Sequence, residues 1–297
     1  MNLTSPSQVK AWCIANGFHP NRVLGQNFLI DRNALTAIVD AGLENCRDAA
    51  PQALEIGPGL GVLTEELLKR GCRVTAVEKD PVLAGRLKES LGSPAGLTVV
   101  AADALDWIAG QSLNGPTPAP RGESPRVLST AQTLSGPTTF SCMGSNLPYQ
   151  AGTRILLELV KTRALPSLTV LVQTEVAERL AAGPGSKTRG LAGVWAQLDY
   201  DVRVVRKVSA SCFWPRPAVG SSVVRLDRHD RNLSLSAEAR KLFHRLTKQA
   251  FEHRRKQLGK IFRDLIQSTA RAEELSNEEW IELTKGLMNE DAGRVFG

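Results

Sequence analysis

A strand, a glycine-rich turn, a helix and a second strand that ends in an acid constrain the fold of this chain more than any other feature. The first strand, residues 53–56, runs into Gly57-Pro58-Gly59-Leu60-Gly61, and a helix follows at once. Glycines in such a turn let the backbone approach a ligand closely, because they remove the side chains that would block it. The second strand, residues 72–77, ends in Glu78, where a carboxylate can accept both hydroxyls of a ribose. The pattern predicts a doubly wound sheet that binds a nucleoside at its rim.

The spacing of the glycines indicates which class of ligand the turn binds. Gly-x-Gly-x-Gly lacks the third glycine of the dinucleotide pattern, so the sequence favours a nucleoside cofactor over NAD. A third strand, residues 97–100, is followed by Asp103 and Ala104. An acid at that strand end can accept a hydrogen bond from an adenine amino group. The alternative for Glu78 is a solvated acid near a capping glycine, and the complete order of elements disfavours it.

A short polar and aromatic cluster follows the fourth predicted strand, residues 140–144. It reads Ser145-Asn146-Leu147-Pro148-Tyr149 and combines an amide, a rigid proline and an aromatic ring. Asn and Pro also form ordinary turns, so the cluster alone does not define a site. Its position at the same rim as Glu78 and Asp103 predicts a clamp for a planar ligand with hydrogen-bonding groups, such as a base.

The remaining pattern divides the chain into two domains. Strands are predicted at residues 198–208 and 221–227, and only helices after them. We expect residues 1–228 to form an α/β domain and residues 229–297 to form a small all-helical domain. Residues 110–139 contain five prolines among many Gly, Ser and Thr residues, a composition that predicts a flexible insertion.

Basic residues are concentrated in the predicted helical domain. The chain carries a formal net charge of +7, and residues 237–263 contain nine basic residues against two acids, which equals the whole excess. Such a distribution predicts a polyanionic partner. The nine are Arg240, Lys241, Arg245, Lys248, Arg254, Arg255, Lys256, Lys260 and Arg263.

Cysteine and histidine usage argues against disulfides and metals. The five cysteines are scattered without a Cys-x-x-Cys pair, and the four histidines have no metal-ligand spacing. The start of the chain lacks a basic segment followed by an apolar run, and no apolar stretch is long enough to cross a bilayer. We therefore expect a soluble cytoplasmic protein without a metal.

Two aromatic residues precede the last predicted strand. Phe213-Trp214-Pro215-Arg216-Pro217 places them beside an arginine, a combination on which an unpaired base can stack. Aromatic side chains also commonly fill a hydrophobic core. Both interpretations stay open for Trp214.

Six motifs together resemble the ribosomal RNA adenine N6,N6-dimethyltransferases, and most closely their small-subunit branch, known as KsgA. They cover most of the chain in the order expected for that family. The motifs are Leu24-Gly25-Gln26-Asn27-Phe28-Leu29, Glu55-Ile56-Gly57-Pro58-Gly59-Leu60-Gly61 with Glu78, Asp103-Ala104, Asn146-Leu147-Pro148-Tyr149, Phe213-Trp214-Pro215-Arg216-Pro217-Ala218-Val219 and Arg254-Arg255-Lys256-Gln257-Leu258.

The resemblance implies a Rossmann-like class I methyltransferase sheet, mostly parallel with an antiparallel last strand, and a helical RNA-binding domain. It also implies S-adenosylmethionine as the cofactor. The implied substrate is a pair of adjacent adenosines near the 3′ end of 16S rRNA, dimethylated on N6 within an immature small ribosomal subunit. We expect the protein to act as a monomer in ribosome biogenesis.

The resemblance also assigns roles to residues. For the cofactor, it implies that Glu78 holds the ribose hydroxyls and that Asp103 with Ala104 reads the adenine. The methionine part would be bordered by Asn27, Leu29, Gly57, Gly59 and Asn146.

The implied catalytic cluster is Asn146, Leu147, Pro148 and Tyr149. The Asn146 amide and the Pro148 carbonyl would accept from the target amine, and Tyr149 and Phe213 would stack on the base. The residues expected to bind RNA are Arg216, Arg245, Lys248, Arg254, Arg255 and Lys256.

Two departures from the family pattern and three alternatives complete the sequence interpretation. The departures are the insertion at residues 110–139 and Arg189, which stands where an aromatic residue commonly follows the glycine-lysine loop.

The alternatives are an Erm-type 23S rRNA methyltransferase, a non-catalytic RNA-binding assembly factor and an NAD-dependent dehydrogenase. The intact rim residues and the glycine spacing argue against the last two, and the Arg254-Arg255-Lys256 motif against the first.

Overall fold

A computed structural model describes residues 1–21, 25–111 and 139–289 of the 297-residue chain. All but the ends of the predicted insertion, residues 110–139, therefore lies outside the described residues, as does Leu24. In chain order the elements are α1 Pro6–Ala15, β1 Phe28–Leu29, α2 Arg32–Leu43, β2 Gln52–Ile56, α3 Val62–Lys69, β3 Arg73–Glu78, α4 Pro81–Ser90, β4 Leu97–Ala101, α5 Ala104–Gly110, β5 Cys142–Asn146, α6 Gly152–Thr162, β6 Ser167–Gln173, α7 Thr174–Ala181, α8 Leu191–Gln197, β7 Tyr200–Val208, β8 Phe213–Trp214, β9 Ser221–Arg228, α9 Ala237–Glu252, α10 Leu258–Ile261 and α11 Asn277–Asn289.

Within the described part of the chain, seven strands form one sheet in the order β4-β3-β2-β5-β6-β9-β7. The five strands from β4 to β6 run parallel, and β9, the last strand in the chain, is antiparallel to β6. The predicted mostly parallel α/β sheet is confirmed. Strands β2 and β3 are almost entirely buried, as expected for parallel strands that are covered by helices.

The core of the sheet domain follows from the amphipathic pattern of α2. Leu35, Ile38 and Val39 are buried on one face of this helix. They pack in the same cluster as Ala53 of β2 and the apolar residues of α3. Asp31 caps the helix, because its carboxylate accepts a hydrogen bond from the Ala34 amide at 2.7 Å. Such a cap typically contributes about 1 kcal/mol.

The described chain forms two compact units whose bounds differ from the predicted domains. One unit comprises Met1–Ala177 and Arg203–Arg228, and the other comprises Glu178–Val202 and His229–Gly297. The boundary after residue 228 coincides with the prediction, but residues 178–202 belong to the second unit. The reason is apolar packing: Val194 and Leu198, in and just after α8, share a core with residues of α9 and α11.

Helix ends in the second unit follow local capping rules. Ser276 and Glu279 form a capping box, in which the Glu279 amide donates to the Ser276 hydroxyl at 3.1 Å and the Ser276 amide to the Glu279 carboxylate at 2.7 Å. Helix α9 is capped by Ser236 and ends at Glu252. Turns at His253 and Lys256 separate it from α10.

Two buried side chains connect strand β2 to its neighbours α3 and β5. Glu55 on β2 is 1% exposed and accepts a hydrogen bond from the Thr64 hydroxyl on α3 at 2.6 Å. The Ser145 hydroxyl on β5 accepts from the Ile56 amide at 2.8 Å. Burial raises the pKa of Glu55 to about 8, against an opposing effect of the Thr64 hydrogen bond. The carboxyl is therefore largely protonated at neutral pH.

This buried carboxyl predicts a pH-dependent stability. Between the ordinary pKa of 4.5 and about 8, the folded protein holds a proton that the unfolded chain has released. The free energy of unfolding therefore falls as the pH rises through this window, by on the order of 4 kcal/mol between pH 5 and pH 8. In Glu55→Gln, whose amide can still bond Thr64, most of that fall should disappear. Urea unfolding at several pH values measures the difference.

Glu89→Gln serves as the control, because Glu89 is an exposed carboxylate in α4. This variant should keep the pH dependence of the unaltered protein. If the free energy of unfolding changes with pH equally in Glu55→Gln and in the unaltered protein, Glu55 ionises in the folded state as it does in the unfolded chain, and the prediction is wrong.

Candidate active site

The parallel strands deliver their carboxyl ends to one cavity of about 250 Å³. β2, β3 and β5 end there at Ile56, Glu78 and Asn146. Parallel register explains the convergence, because the ends of parallel strands meet at the same edge of a sheet. Every predicted catalytic and cofactor-binding residue borders this cavity, namely Asn27, Leu29, Gly57, Gly59, Glu78, Asp103, Ala104, Asn146, Leu147, Pro148 and Tyr149.

The glycine turn forms the floor of the cavity through a conformation that other residues rarely adopt. Gly57, Gly59 and Gly61 have φ values of 70°, 59° and 89°. A Cβ atom on Gly59 would stand 3.1 Å from the Phe28 ring, and one on Gly61 would stand 2.6 Å from Leu87. Both the backbone conformation and the close packing therefore require glycine.

Glu78 is fixed by main-chain donors. It is 7% exposed, and its two carboxylate oxygens accept from the Gly59 amide at 3.0 Å and the Asp80 amide at 2.9 Å. Burial raises the pKa of Glu78, and these amide hydrogen bonds oppose the rise. Each oxygen keeps a lone pair for a further donor, so the carboxylate is oriented and still able to accept two ligand hydroxyls.

Asp103 is oriented by the start of α5 and by a lysine. One carboxylate oxygen accepts from the Leu105 amide at 2.8 Å, and the other lies 2.9 Å from Lys79 Nζ. The Lys79 contact lowers the pKa of Asp103, which keeps the acceptor ionised. Lys79 was not among the predicted site residues, although its position directly after Glu78 places it at the same rim.

Asn146 presents the acceptor end of its amide to the cavity. Its Nδ2 donates to the Asn27 carbonyl at 3.0 Å, which leaves Oδ1 as the acceptor. The Tyr149 hydroxyl forms a 2.6 Å hydrogen bond with the Ser221 hydroxyl, and burial raises the Tyr149 pKa. Both side chains are thus held in one orientation by partners outside the four-residue cluster.

The Pro148 carbonyl has a different role from the predicted one. It accepts from the Gly152 amide at 2.7 Å and from the Ala151 amide at 3.2 Å, where α6 begins. These two bonds use both lone pairs of the oxygen, so it cannot readily accept from a target amine. The Leu147 carbonyl receives no hydrogen bond within the described residues. It is a backbone acceptor that stays available directly after Asn146 in the chain.

An entry loop closes one side of the cavity. A Cβ on Gly25 would lie 3.2 Å from the Tyr149 amide nitrogen, so the loop backbone packs directly on the catalytic cluster. Gln26 Nε2 donates to Asp80 Oδ2 at 2.9 Å, and the Asn27 carbonyl holds Asn146. Gln26 was not among the predicted site residues because its partner is 54 positions away in sequence.

The two aromatics before β9 pack into the protein. Phe213 is 2% exposed, belongs to the core and pairs with Leu29 between β8 and β1. Trp214 stacks on Phe28 with ring centroids 6.5 Å apart. The structure does not bring Phe213 to the cavity, so its stacking on a base stays a prediction. Trp214 has the packing role that the sequence left open.

The predicted RNA-binding residues divide into exposed and anchored side chains. Arg216 in the first unit and Arg245, Lys248, Arg255 and Lys256 in the second unit are exposed. Arg254 instead donates to the Lys187 carbonyl at 2.6 Å and lies 3.5 Å from a Glu273 carboxylate oxygen. Arg254 therefore stabilises the second unit in addition to any contact with RNA.

Metal-binding clusters and membrane-spanning helices are both absent from the described residues. In the part of the chain that the structure covers, no group of three or more His, Cys, Asp or Glu residues is arranged to hold a metal ion. No described helix has the length and apolar character that a membrane span requires.

Comparison with known proteins places this architecture in a family. The family model for ribosomal RNA adenine dimethylases matches residues 17–292. The ribosomal RNA small subunit methyltransferase A of Deinococcus radiodurans is 43% identical over 229 residues, covering 76% of this chain and 67% of that protein. The protein of the same name from Streptomyces coelicolor is 34% identical over 274 residues, covering 91% and 87%.

Solved structures show the same fold at low sequence identity. A dimethyladenosine transferase from Plasmodium falciparum matches with a TM-score of 0.68 and 20% identity, covering 88% of this chain and 98% of that one. The 23S rRNA methyltransferase ErmE matches with a TM-score of 0.60 and 24% identity, covering 88% and 100%. The predicted fold class and enzyme class are confirmed. The chain belongs to the ribosomal RNA adenine dimethylase family.

Proposed function

We propose that this protein transfers methyl groups from S-adenosylmethionine to N6 of two adjacent adenosines near the 3′ end of 16S rRNA. The transfer takes place during maturation of the small ribosomal subunit. Its relatives are named for the small-subunit RNA, which favours this substrate over 23S rRNA. The observation that carries the proposal is the convergence of Asn146, Leu147 and two oriented carboxylates, Glu78 and Asp103, on one cavity.

The cavity fits a nucleoside cofactor with a positively charged group. Glu78 is the acceptor for the ribose hydroxyls, and Asp103 with the Ala104 backbone is suited to the adenine. The glycine turn provides the close backbone approach that a Cβ would prevent. Asn27 and Leu29 border the same space for the methionine part. When bound, S-adenosylmethionine supplies an electrophilic methyl group on a sulfonium.

The catalytic cluster works by positioning. An adenine amine is a poor nucleophile, because its lone pair is delocalised into the ring. The Asn146 Oδ1 and the Leu147 carbonyl can each accept one amine hydrogen, which directs the lone pair toward the methyl donor. Aligned reactants of this kind can lower a barrier by roughly 7–11 kcal/mol. A strong base is unnecessary, because the methylated amine is acidic and loses its proton readily.

The target base has to be unpaired. An adenine inside a duplex cannot reach a rim cavity, so it is flipped out or already single-stranded. Tyr149, fixed by Ser221, offers a ring for stacking on it. Phe213 would add a second face only after leaving its buried position.

Exposed basic residues of the second unit hold the RNA backbone. Arg245 and Lys248 lie one turn apart on α9, and Arg255 and Lys256 follow its end. Phosphate contacts of this kind supply affinity that falls with salt.

Labelled S-adenosylmethionine tests the function directly. With small-subunit particles that lack the modification, label should enter the 3′-terminal fragment of 16S rRNA. Asn146→Ala should slow the single-turnover rate by about 10²–10³-fold, since it removes one acceptor from the reacting amine. Pro148→Ala keeps the backbone carbonyls and should have a much smaller effect.

Label in 23S rRNA instead would support the Erm-type alternative. Absence of transfer to either RNA, with the RNA still bound, would support a non-catalytic assembly factor.

Glu78→Gln should weaken cofactor binding with little change in RNA affinity. The substitution removes a charged acceptor, and hydrogen bonds to charged groups are worth about 1.5–3 kcal/mol, or roughly 10- to 150-fold in the dissociation constant. Calorimetry with S-adenosylmethionine measures the effect. Glu89→Gln, an exposed glutamate of α4, is the control. Unchanged cofactor affinity in Glu78→Gln would remove Glu78 from the cofactor site.

The triple variant Lys248→Ala, Arg255→Ala, Lys256→Ala should flatten the salt dependence of RNA binding. Each lost contact to single-stranded RNA reduces the slope of log K against log salt by about 0.7, so the slope should fall by roughly 2. Lys10→Ala, an exposed lysine of α1, should leave it unchanged. An equal slope in the triple variant would place the RNA surface elsewhere on the protein.

A further inference from the structure

The second unit contains a cavity of its own, which the buried residue Arg189 borders. The cavity has a volume of about 240 Å³, several times the ~30 Å³ that a water molecule occupies in the liquid. Arg189 borders it from the interior, and Arg231 and Asn277 border it as well. All of the lining residues belong to the second unit.

Arg189 is buried with only neutral acceptors. It is 1% exposed, and its Nη1 donates to the Ala182 carbonyl at 3.0 Å and to Gln197 Oε1 at 3.2 Å. Its Nη2 donates to Asn277 Oδ1 at 2.9 Å. A guanidinium has five N–H donors. Among the residues that the structure describes, the Nε donor has no partner, and the three bonds leave one Nη2 hydrogen unused as well.

The charge of this guanidinium is not balanced by a carboxylate. No ion pair joins Arg189 to an acid within the described residues. Burial lowers the pKa of Arg189, and the Glu278 carboxylate opposes that shift from a distance. Arginine nonetheless stays protonated in proteins. A buried cation without an anion is unfavourable, so the cavity beside it is suited to receive one.

The start of α11 also favours an anion in this cavity. The capping box uses the amides of Ser276 and Glu279, and Asn277 and Glu278 lie between them on the cavity wall. Their amides have no acceptor in the described structure. The N-terminus of this 13-residue helix carries a partial positive charge and free donors, which favour an oxyanion.

We propose that this cavity is an oxyanion site that takes a phosphate of the RNA substrate, with Arg189 as its buried cation. Arg189 borders the cavity and keeps an unused hydrogen on Nε and on Nη2, and hydrogen bonds from a charged guanidinium to phosphate oxygens are strong. The inference rests on the proposed function for the identity of the RNA. Inorganic phosphate offers the same chemistry and serves as the probe.

One side chain competes with the phosphate. Glu278 is exposed and stands at the cavity wall, where its carboxylate is the anion that influences Arg189. Asp201 also borders the cavity, but it is engaged with Arg231 at 2.5 Å. Removal of the Glu278 charge should therefore strengthen phosphate binding.

The experiment compares inorganic phosphate with chloride at equal ionic strength on the full-length protein. Phosphate should raise the unfolding midpoint of the unaltered protein and shift the Nε–H signal of Arg189 in nitrogen-15 arginine spectra. Glu278→Gln should tighten phosphate binding at least about threefold. Arg189→Gln should abolish the response. Glu282→Gln, an exposed glutamate of the same helix, should behave like the unaltered protein.

The outcomes separate the possibilities. Equal responses to phosphate and chloride in the unaltered protein and in Glu278→Gln would overturn the proposal, even if Arg189→Gln does not fold. A 3′-terminal fragment of 16S rRNA should displace phosphate and shift the same Nε–H signal. Phosphate binding that this RNA does not displace would overturn the RNA assignment. None of these readouts requires cofactor or methyl transfer, so failure of the proposed function is recorded separately by the labelling experiment.

Discussion

The parallel pairing of β2 with both β3 and β5 is the constraint on which the rest of the site depends. It sets the ends of three strands side by side, so that Glu78 and Asn146 flank the glycine turn after β2. The Ser145 hydroxyl, which accepts from the Ile56 amide, supports this pairing just below the cavity. A shift of one residue would turn each rim side chain to the opposite face of the sheet. The strand register that defines the fold therefore also positions the side chains of the site.

The three acids at the rim differ in protonation and orientation because their surroundings differ. Glu55, buried against Thr64, has a raised pKa and acts as a neutral structural group. Glu78 is held by two amides, and Asp103 is kept ionised by Lys79. The last two are therefore oriented acceptors before any ligand arrives. Preorganisation of this kind reduces the cost of binding and of orienting the reactants.

The sequence predicts the features that local patterns encode. The order of strand, glycine turn, helix and acid was sufficient for the sheet, and it placed Gly57, Glu78 and Asn146 at the rim. Features that depend on distant packing were not predicted. The use of the Pro148 carbonyl by α6, the burial of Phe213 and the assignment of residues 178–202 to the second unit arise from tertiary contacts, which periodicity and spacing do not contain.

In the proposed reaction, Asn146 Oδ1 and the Leu147 carbonyl hold the target amine. A crystal structure with an unreactive cofactor analogue and an adenosine-containing RNA fragment would show where that amine lies. We expect N6 to lie within about 3.2 Å of both oxygens, while the Pro148 carbonyl stays bonded to the start of α6. An N6 bonded to the Pro148 carbonyl, or one remote from Asn146, would contradict this expectation.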